Sequence, residues 1–569
     1  MKPLTLVIVS IFSYNQVQSA TLQSCDSLVY CQGDLLDTVQ RAEIFEDSKT
    51  FVDMIQVNPS SQTLQNFERL KQETNNNPTK DDIRKFIDDN FVMEGELESW
   101  TPSDYNTDPA FLKKIDDVLV RDFARNLVNI WPTLARKVKA DVMENPDRHS
   151  LISVPNGFII PGGRFRELYY WDSYWIIEGL LLSEMQSTVR GMLENLLSFV
   201  ERYGFVPNGG RVYYLNRSQP PLLTLMVGLY IGASNDTKWL RKHIGTLERE
   251  LKWWLTNRTV IAEKNGVKYT LAHFGSDSGT PRPESYIEDI RTCAGYEEDT
   301  RKEDCYKDIK GGAESGWDFS SRWIFDSQGG VNSNLTDIQT RRVAPVDLNS
   351  YLCQAFDQLS SFYLKLGNPA KAYEWKEKAD TWKKTIELVL YDKADGIWYD
   401  YDISLMQPRK IFYPSNFAPL WTQSYQPLSG RQYGSRAAKY FKDKGINSYR
   451  GGTPTSLQQS GEQWDFPNAW PPLQELVILG FKRSGDSEAK QLAESLAKRW
   501  IDANIKGFNQ NKEMFEKYDA VNQGQYGGGG EYTVQTGFGW TNGVALALIN
   551  EYYVDNSLWK KVIHSVFKT

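Results

Sequence analysis

The chain has 569 residues, 24% of them charged and 40% apolar, which excludes a disordered polymer and leaves ample material for a large core. A net charge of −7 and a pI near 5.5 give no basic footprint for nucleic acid. Only four histidines occur (His149, His243, His273 and His564), widely spaced and without a Cys pair at zinc-ligand spacing, so neither a metal nor a cofactor is expected.

Taken in order, the chain opens like a secretory signal peptide. Lys2 gives the positive start, 4–12 the apolar run, and Val17-Gln-Ser19 a small-residue cleavage site. That run is too short to span a bilayer, and no later one is longer: 544–549 ends at Asn550 and Glu551. The expectation is cleavage after residue 19 and a secreted, extracellular protein with no membrane anchor and no nucleic-acid partner. Cys25 and Cys31 are spaced for a small loop bridge, as are Cys293 and Cys305, whereas Cys353 falls on a predicted helix as a buried thiol. Asn235, Asn257 and Asn334 head glycosylation sequons, and Asn216 a fourth expected to stay bare inside the site.

Residues to about 77 are polar with short helical patterns, and Glu73-Thr-Asn-Asn-Asn-Pro78 reads as a loop. From Phe111 onward the pattern is of amphipathic helices. One covers 189–203, stopped by Gly204. A stripe from Leu352 to Leu366 ends at Gly367; Asn368 then caps a second helix with Pro369 at its first position, which makes an αα-hairpin. Further helices are expected over 471–481, 487–503 and 542–553. Strand signals are few: 212–215, 267–271 after Asn265-Gly266, and 397–401 after Asp395-Gly396. Helices alternating with long loops rich in Gly, Pro, Trp and carboxylates suggest an all-α barrel with a cup of loops at its mouth.

The chemistry concentrates in those loops. Pro161-Gly-Gly-Arg-Phe-Arg-Glu-Leu-Tyr-Tyr-Trp-Asp172 crowds charges among rings. A buried charge needs a partner that a flat ring cannot supply, and a sugar, polar at its rim and C–H on its faces, suits both. Three Trp-Asp pairs recur, at Trp171-Asp172, Trp317-Asp318 and Trp464-Asp465. An Asp against indole loses water, which favours the protonated form that a general acid needs. Glu516 has Lys517 and Tyr518 beside it, groups that hold a carboxylate ionised as a base requires, and Glu531 follows Gly527-Gly-Gly-Gly530. Arg217 and Arg282 sit in proline-flanked loops suited to holding sugar hydroxyls or carboxylates. Each feature alone has a plain structural alternative; together they favour a site.

These motifs resemble trehalases of glycoside hydrolase family 37. The resemblance rests on the 161–172 motif, Gln463-Trp-Asp-Phe-Pro-Asn-Ala-Trp-Pro-Pro472, Arg217-Ser-Gln-Pro-Pro221, Arg282-Pro-Glu284, Glu314-Ser-Gly-Trp-Asp318, Glu516-Lys-Tyr518 and 527–532, in the family's order. With the signal peptide and no anchor, the chain is most similar to the soluble secreted insect forms. The resemblance implies an (α/α)6 toroid over 20–569 as one catalytic domain, a monomer, and inverting hydrolysis of α,α-trehalose to two glucoses. It implies Asp318 as general acid and Glu516 as general base. It places substrate contacts on Arg164, Trp171, Asp172, Asn208, Arg217, Ser218, Gln219, Arg282, Glu284, Gly316 and Glu531. The rival expectations are another helical-barrel glucosidase and an exported sugar-binding homologue without catalysis.

Overall fold

The computed structural model describes residues 25–554; the expected signal peptide and His564 lie outside them. Twelve helices alternate between two concentric rings. The outer ring consists of α1 (Val118–Leu134), α3 (Gln186–Tyr203), α5 (Thr237–Asn257), α7 (Pro369–Thr385), α9 (Gly430–Asp443) and α11 (Ser487–Asn511). The inner ring consists of α2 (Asp172–Leu182), α4 (Leu223–Ser234), α6 (Val346–Lys365), α8 (Ala418–Thr422), α10 (Pro471–Arg483) and α12 (Gly539–Tyr552). Each inner helix packs on the next, and α12 closes on α2, giving an (α/α)6 toroid.

Sequence dictates the ring each helix joins. Outer helices carry one apolar stripe, whereas α2 is buried at every position and α4, α10 and α12 along nearly their whole length. A helix apolar all round belongs in a core. The expectation of amphipathic helices therefore holds for the outer ring and is corrected for the inner one. Ring closure depends on glycine: a Cβ at Gly543 would stand 1.9 Å from the Trp175 carbonyl oxygen, so only bare backbone lets α12 touch α2.

Connections are asymmetric. Inner-to-outer links are short, and all but 423–429 are tight turns, such as Gly367 (φ 78°) followed by the Asn368 cap, whose side chain accepts from the Lys371 N–H. Outer-to-inner links are long: 135–171, 204–222, 258–345, 386–417, 444–470 and 512–538. All six therefore gather over the N-terminal ends of the inner helices, where they form the cup. The hairpin Thr259–Lys264/Val267–Ala272 turns at Asn265 (φ 54°) and Gly266 (φ 76°), as expected. The expected strand at 212–215 is instead a 3-10 turn, Val212–Tyr214. Tyr213 and Tyr214 are both buried and bond to Asp53 and Tyr169, so their side chains do not alternate across a ladder. The 397–401 segment splits into Ile397–Trp398 and Tyr401–Asp402, which pair with different partners.

Both expected disulfides are formed, Cys25–Cys31 and Cys293–Cys305, and Cys353 is a buried thiol. The N-terminal helices Asp34–Arg41, Ser60–Glu73 and Lys80–Asn90 enclose a satellite cluster around Phe51, Phe67, Phe86 and Phe91. Its far wall is Tyr169, Tyr213, Tyr214 and Tyr286, so this segment shares a core with the cup loops.

Candidate active site

The cup loops line a concave cavity that opens to solvent at its mouth. Asp172 heads α2, Trp470 immediately precedes α10, and Phe538 precedes α12, so helix N-termini with their partial positive charge face the cavity. Of the sequence-nominated residues, Arg164, Trp171, Asp172, Asn208, Arg217, Gln219, Arg282, Glu284, Gly316, Asp318, Glu516 and Glu531 line it. Ser218 does not. Its hydroxyl donates to the Val206 carbonyl and its N–H to Glu314, so it shapes the loop that carries Arg217 and Gln219.

The tryptophans of the three Trp-Asp pairs converge. Trp464 stacks on Trp317 at 5.4 Å and on Trp470 at 3.8 Å, and Trp171 leans against it at 5.8 Å. Trp171 and Trp540 meet edge to face, and Gly316 lies flat on Trp171, where a Cβ would come within 2.7 Å of the ring. This apolar wall raises the carboxyls beside it. Burial pushes Asp318 up to about 7, against the pull of Arg282 and Arg217 and with a push from Glu531. Asp172 goes up to about 8, by burial and then by the charges of Glu516 and Asp318. Glu516 is also raised by burial, but Lys517 opposes the rise, as do the Tyr532 hydroxyl donating at 2.9 Å and the Gln535 N–H at 3.4 Å. One cavity thus holds two carboxyls, Asp318 and Asp172, whose burial favours the protonated form, and a third, Glu516, surrounded by donors that favour its anion.

Each arginine is answered by a carboxylate. Arg217 pairs with Glu284 at 2.6 Å, and Arg282 with Asp289 at 2.7 Å and Glu531 at 3.0 Å. Arg164 makes a fork on Asp47 and lies over the Tyr532 ring. These carboxylates offset the positive charge near Asp318, and burial outweighs the pull of Arg282 and Arg217 that remains. The pairs leave Arg217 Nε and Glu284 Oε2 buried without a protein partner. Such atoms match a ligand rich in hydroxyls.

Sequence reasoning missed Asp47, Lys49 and Asp289, as well as most of the aromatic wall: Phe165, Tyr169, Tyr214, Trp470, Tyr532, Phe538 and Trp540. Lys49 comes from the N-terminal segment and is buried against Asp53 and Glu167. No motif marks it. Tyr532 stands next to Glu531, and that adjacency was a usable signal. Asp465 lies behind the wall, where it accepts from Ser320, Ser321 and Ser460 and so fixes the turn that follows Asp318. Among the described residues no cluster of His, Cys, Asp and Glu is arranged to hold a metal ion.

A helical toroid whose cup brings buried carboxyls, paired arginines and stacked indoles into one cavity defines a carbohydrate-hydrolase architecture. The profile of the trehalase family matches residues 43–553, and the chain belongs to that family. A trehalase of Tenebrio molitor is 54% identical over 553 residues, which is 97% of this chain and 100% of that one. A trehalase of Homo sapiens is 47% identical over 537 residues, covering 94% of this chain and 91% of that one. The neutral trehalase Nth1 from Saccharomyces cerevisiae superposes with a TM-score of 0.55 at 22% identity, over 72% of this chain and 75% of that one, and shares the fold.

Proposed function

We propose that this chain hydrolyses α,α-trehalose to two glucose molecules with inversion, Asp318 acting as general acid and Glu516 as general base. The observation that carries the reading is the pair of unlike carboxyl environments in one cavity, with Asp318 pushed up to about 7 and Glu516 held by Tyr532, Gln535 and Lys517. The substrate oxygen joins two anomeric carbons and leaves poorly unless protonated. Asp318 gives it a proton as the C1–O bond breaks. Glu516 takes a proton from the water that forms the new C1–O bond on the opposite face. The Trp171, Trp464 and Trp470 surfaces suit the C–H faces of the two rings. Arg217, Arg282 and Glu284 suit their hydroxyl rims.

Export belongs to the same proposal. Two disulfides fit an oxidising compartment, the sequon residues Asn235 and Asn334 are exposed, and no helix among the described residues is long and apolar enough to cross a membrane. The test is kinetic. Asp318→Asn and Glu516→Gln are each expected to keep the fold and lose about 10²–10⁴-fold in turnover on trehalose, with wild type active on trehalose and weak on maltose. Near-normal turnover in either variant would remove that residue from its role, and a preference for maltose would favour a different glucosidase.

A further inference from the structure

The acid and the base sit on different loops, and the structure contains a dedicated link between them. Gln463 is 1% exposed and Lys517 fully buried; neither lines the cavity. The Lys517 ammonium donates to Gln463 Oε1 at 2.7 Å, and Gln463 Nε2 donates to the backbone carbonyl of Asp318 at 2.6 Å. The orientation of this amide is forced by chemistry. An ammonium can only donate and a carbonyl oxygen only accept, so the group between them must accept at one end and donate at the other. A side-chain amide does both, at two separate atoms; a carboxylate, an ammonium or an alkyl chain cannot.

The surroundings make the link rigid. The Gln463 carbonyl accepts from Asn468 Nδ2 at 2.8 Å and Trp470 Nε1 at 2.9 Å, which fixes its backbone. Tyr518–Asp519 pairs antiparallel with Asn468–Ala469, so the base segment and the 463–470 motif form one ladder. In the bend that leads into Tyr518–Asp519, Glu516 lines the cavity, whereas Lys517 turns to the floor beneath Gln463. The glycine run seals this floor: a Cβ on Gly530 would come within 2.8 Å of Gln463, and the Gly529 carbonyl is 3.4 Å from the Lys517 ammonium. The Trp470 ring lies 5.0 Å from that ammonium. With water excluded, the charge acts at low dielectric on its neighbours.

The geometry points to Lys517 and Gln463 as positioning residues that lock the acid loop to the base segment, with Lys517 also setting the charge around Glu516. This rests on the roles proposed for Asp318 and Glu516. Lys517 is faced by Glu516 and Asp318 and by the rings of Tyr532 and Trp470. Glu516 is faced by Lys517, Tyr532, Arg164 and Asp172. Loss of the ammonium removes a group that lowers the Glu516 pKa, so the base stays protonated to higher pH.

The experiment compares Lys517→Met, Gln463→Met, the double variant and Lys517→Arg by pH–rate profiles on trehalose, with thermal melting as the control for folding. Each single Met variant is expected to lose about 10–100-fold in kcat with KM within about threefold, the scale for misplacing a catalytic group. Because the two act through one chain of bonds, the double variant should be no worse than the weaker single. The acidic limb of kcat/KM should move to higher pH in Lys517→Met, stay in place in Gln463→Met, and return in Lys517→Arg. An unmoved limb in folded Lys517→Met, or losses that multiply in the double variant, would overturn the proposal. If Lys517→Met does not fold, an unchanged kcat in Gln463→Met overturns it alone. Wild-type protein inactive on trehalose in the same assay would instead sink the proposed function.

Discussion

Replacing Asp465 by Asn and by Ala separates the shape of this buried carboxylate from its charge. Its Oδ2 accepts from the Ser321 N–H at 2.6 Å and the Ser460 hydroxyl at 2.5 Å, its Oδ1 from the Ser321 and Ser320 hydroxyls at 2.7 and 3.2 Å. Asn can keep all four contacts. Its carbonyl takes the Oδ2 partners and its amide donates at the other end, where hydroxyls turn to accept. The loss is charge assistance, about 1 kcal/mol per bond, offset by the cheaper burial of a neutral group. The net cost is roughly 1 kcal/mol, less than tenfold in kcat. Ala instead leaves the Ser321 N–H buried without an acceptor, about 1–3 kcal/mol, and strips three hydroxyls that only partly re-pair. A total of roughly 3–4 kcal/mol and about a 100-fold loss in kcat should follow, because the freed turn carries Asp318. Urea denaturation and steady-state kinetics on trehalose read both. If Asn proves as damaging as Ala, the negative charge itself acts in the site and the supporting role assigned here is wrong.

Two further predictions concern stability. Glu314 pairs with Arg258 at 2.8 Å and accepts the backbone N–H groups of Ser218 and Gly275, all buried; Glu314→Ala should cost at least about 3–5 kcal/mol in urea titration, and a cost under 1 kcal/mol would refute its role as the tie between the 204–222 loop and both ends of the 258–345 loop. On the inner ring, the buried carboxyls of Glu178 and Glu475 lie close enough to share a proton, with Tyr174 and Arg483 beside them, and burial raises both, Glu178 well above the usual carboxylate range. Folded values above the unfolded ~4.3 mean that the pair's contribution is fully present below that pH and is lost as pH rises through the folded values. Glu178→Gln supplies a permanent donor to Glu475, so its urea midpoint should fall less than that of wild type between pH 5 and 8.5; parallel curves would contradict the shared proton.

The loops were the legible part of the site. Twelve of the thirteen nominated residues line the cavity, because residue types such as Trp-Asp and Arg-Pro-Glu betray chemistry before geometry is known. Ser218 shows the limit, since motif membership does not tell whether a hydroxyl faces the ligand or the backbone. Asp47, Lys49 and Asp289 were invisible because their roles exist only through partners 117, 118 and 7 residues away. The fold was half legible. The Asn368-Pro369 cap and the Asn265-Gly266 turn are local chemistry and read directly. The inner helices α2, α4 and α12 carry no periodic signal, since a helix buried all round has no polar face to set a period. The ring was therefore inferred from the long loops rather than read from its walls.

The central claim is that Asp318 and Glu516 act as acid and base across a water, and stereochemistry tests it most directly. Inversion delivers the attacked glucose as the β-anomer, while its partner keeps its C1–O bond and leaves as α. A proton NMR time course on trehalose, read before mutarotation, should show the two anomers in equal amounts. Early product that is entirely α would mean retention through a covalent intermediate and would contradict the account.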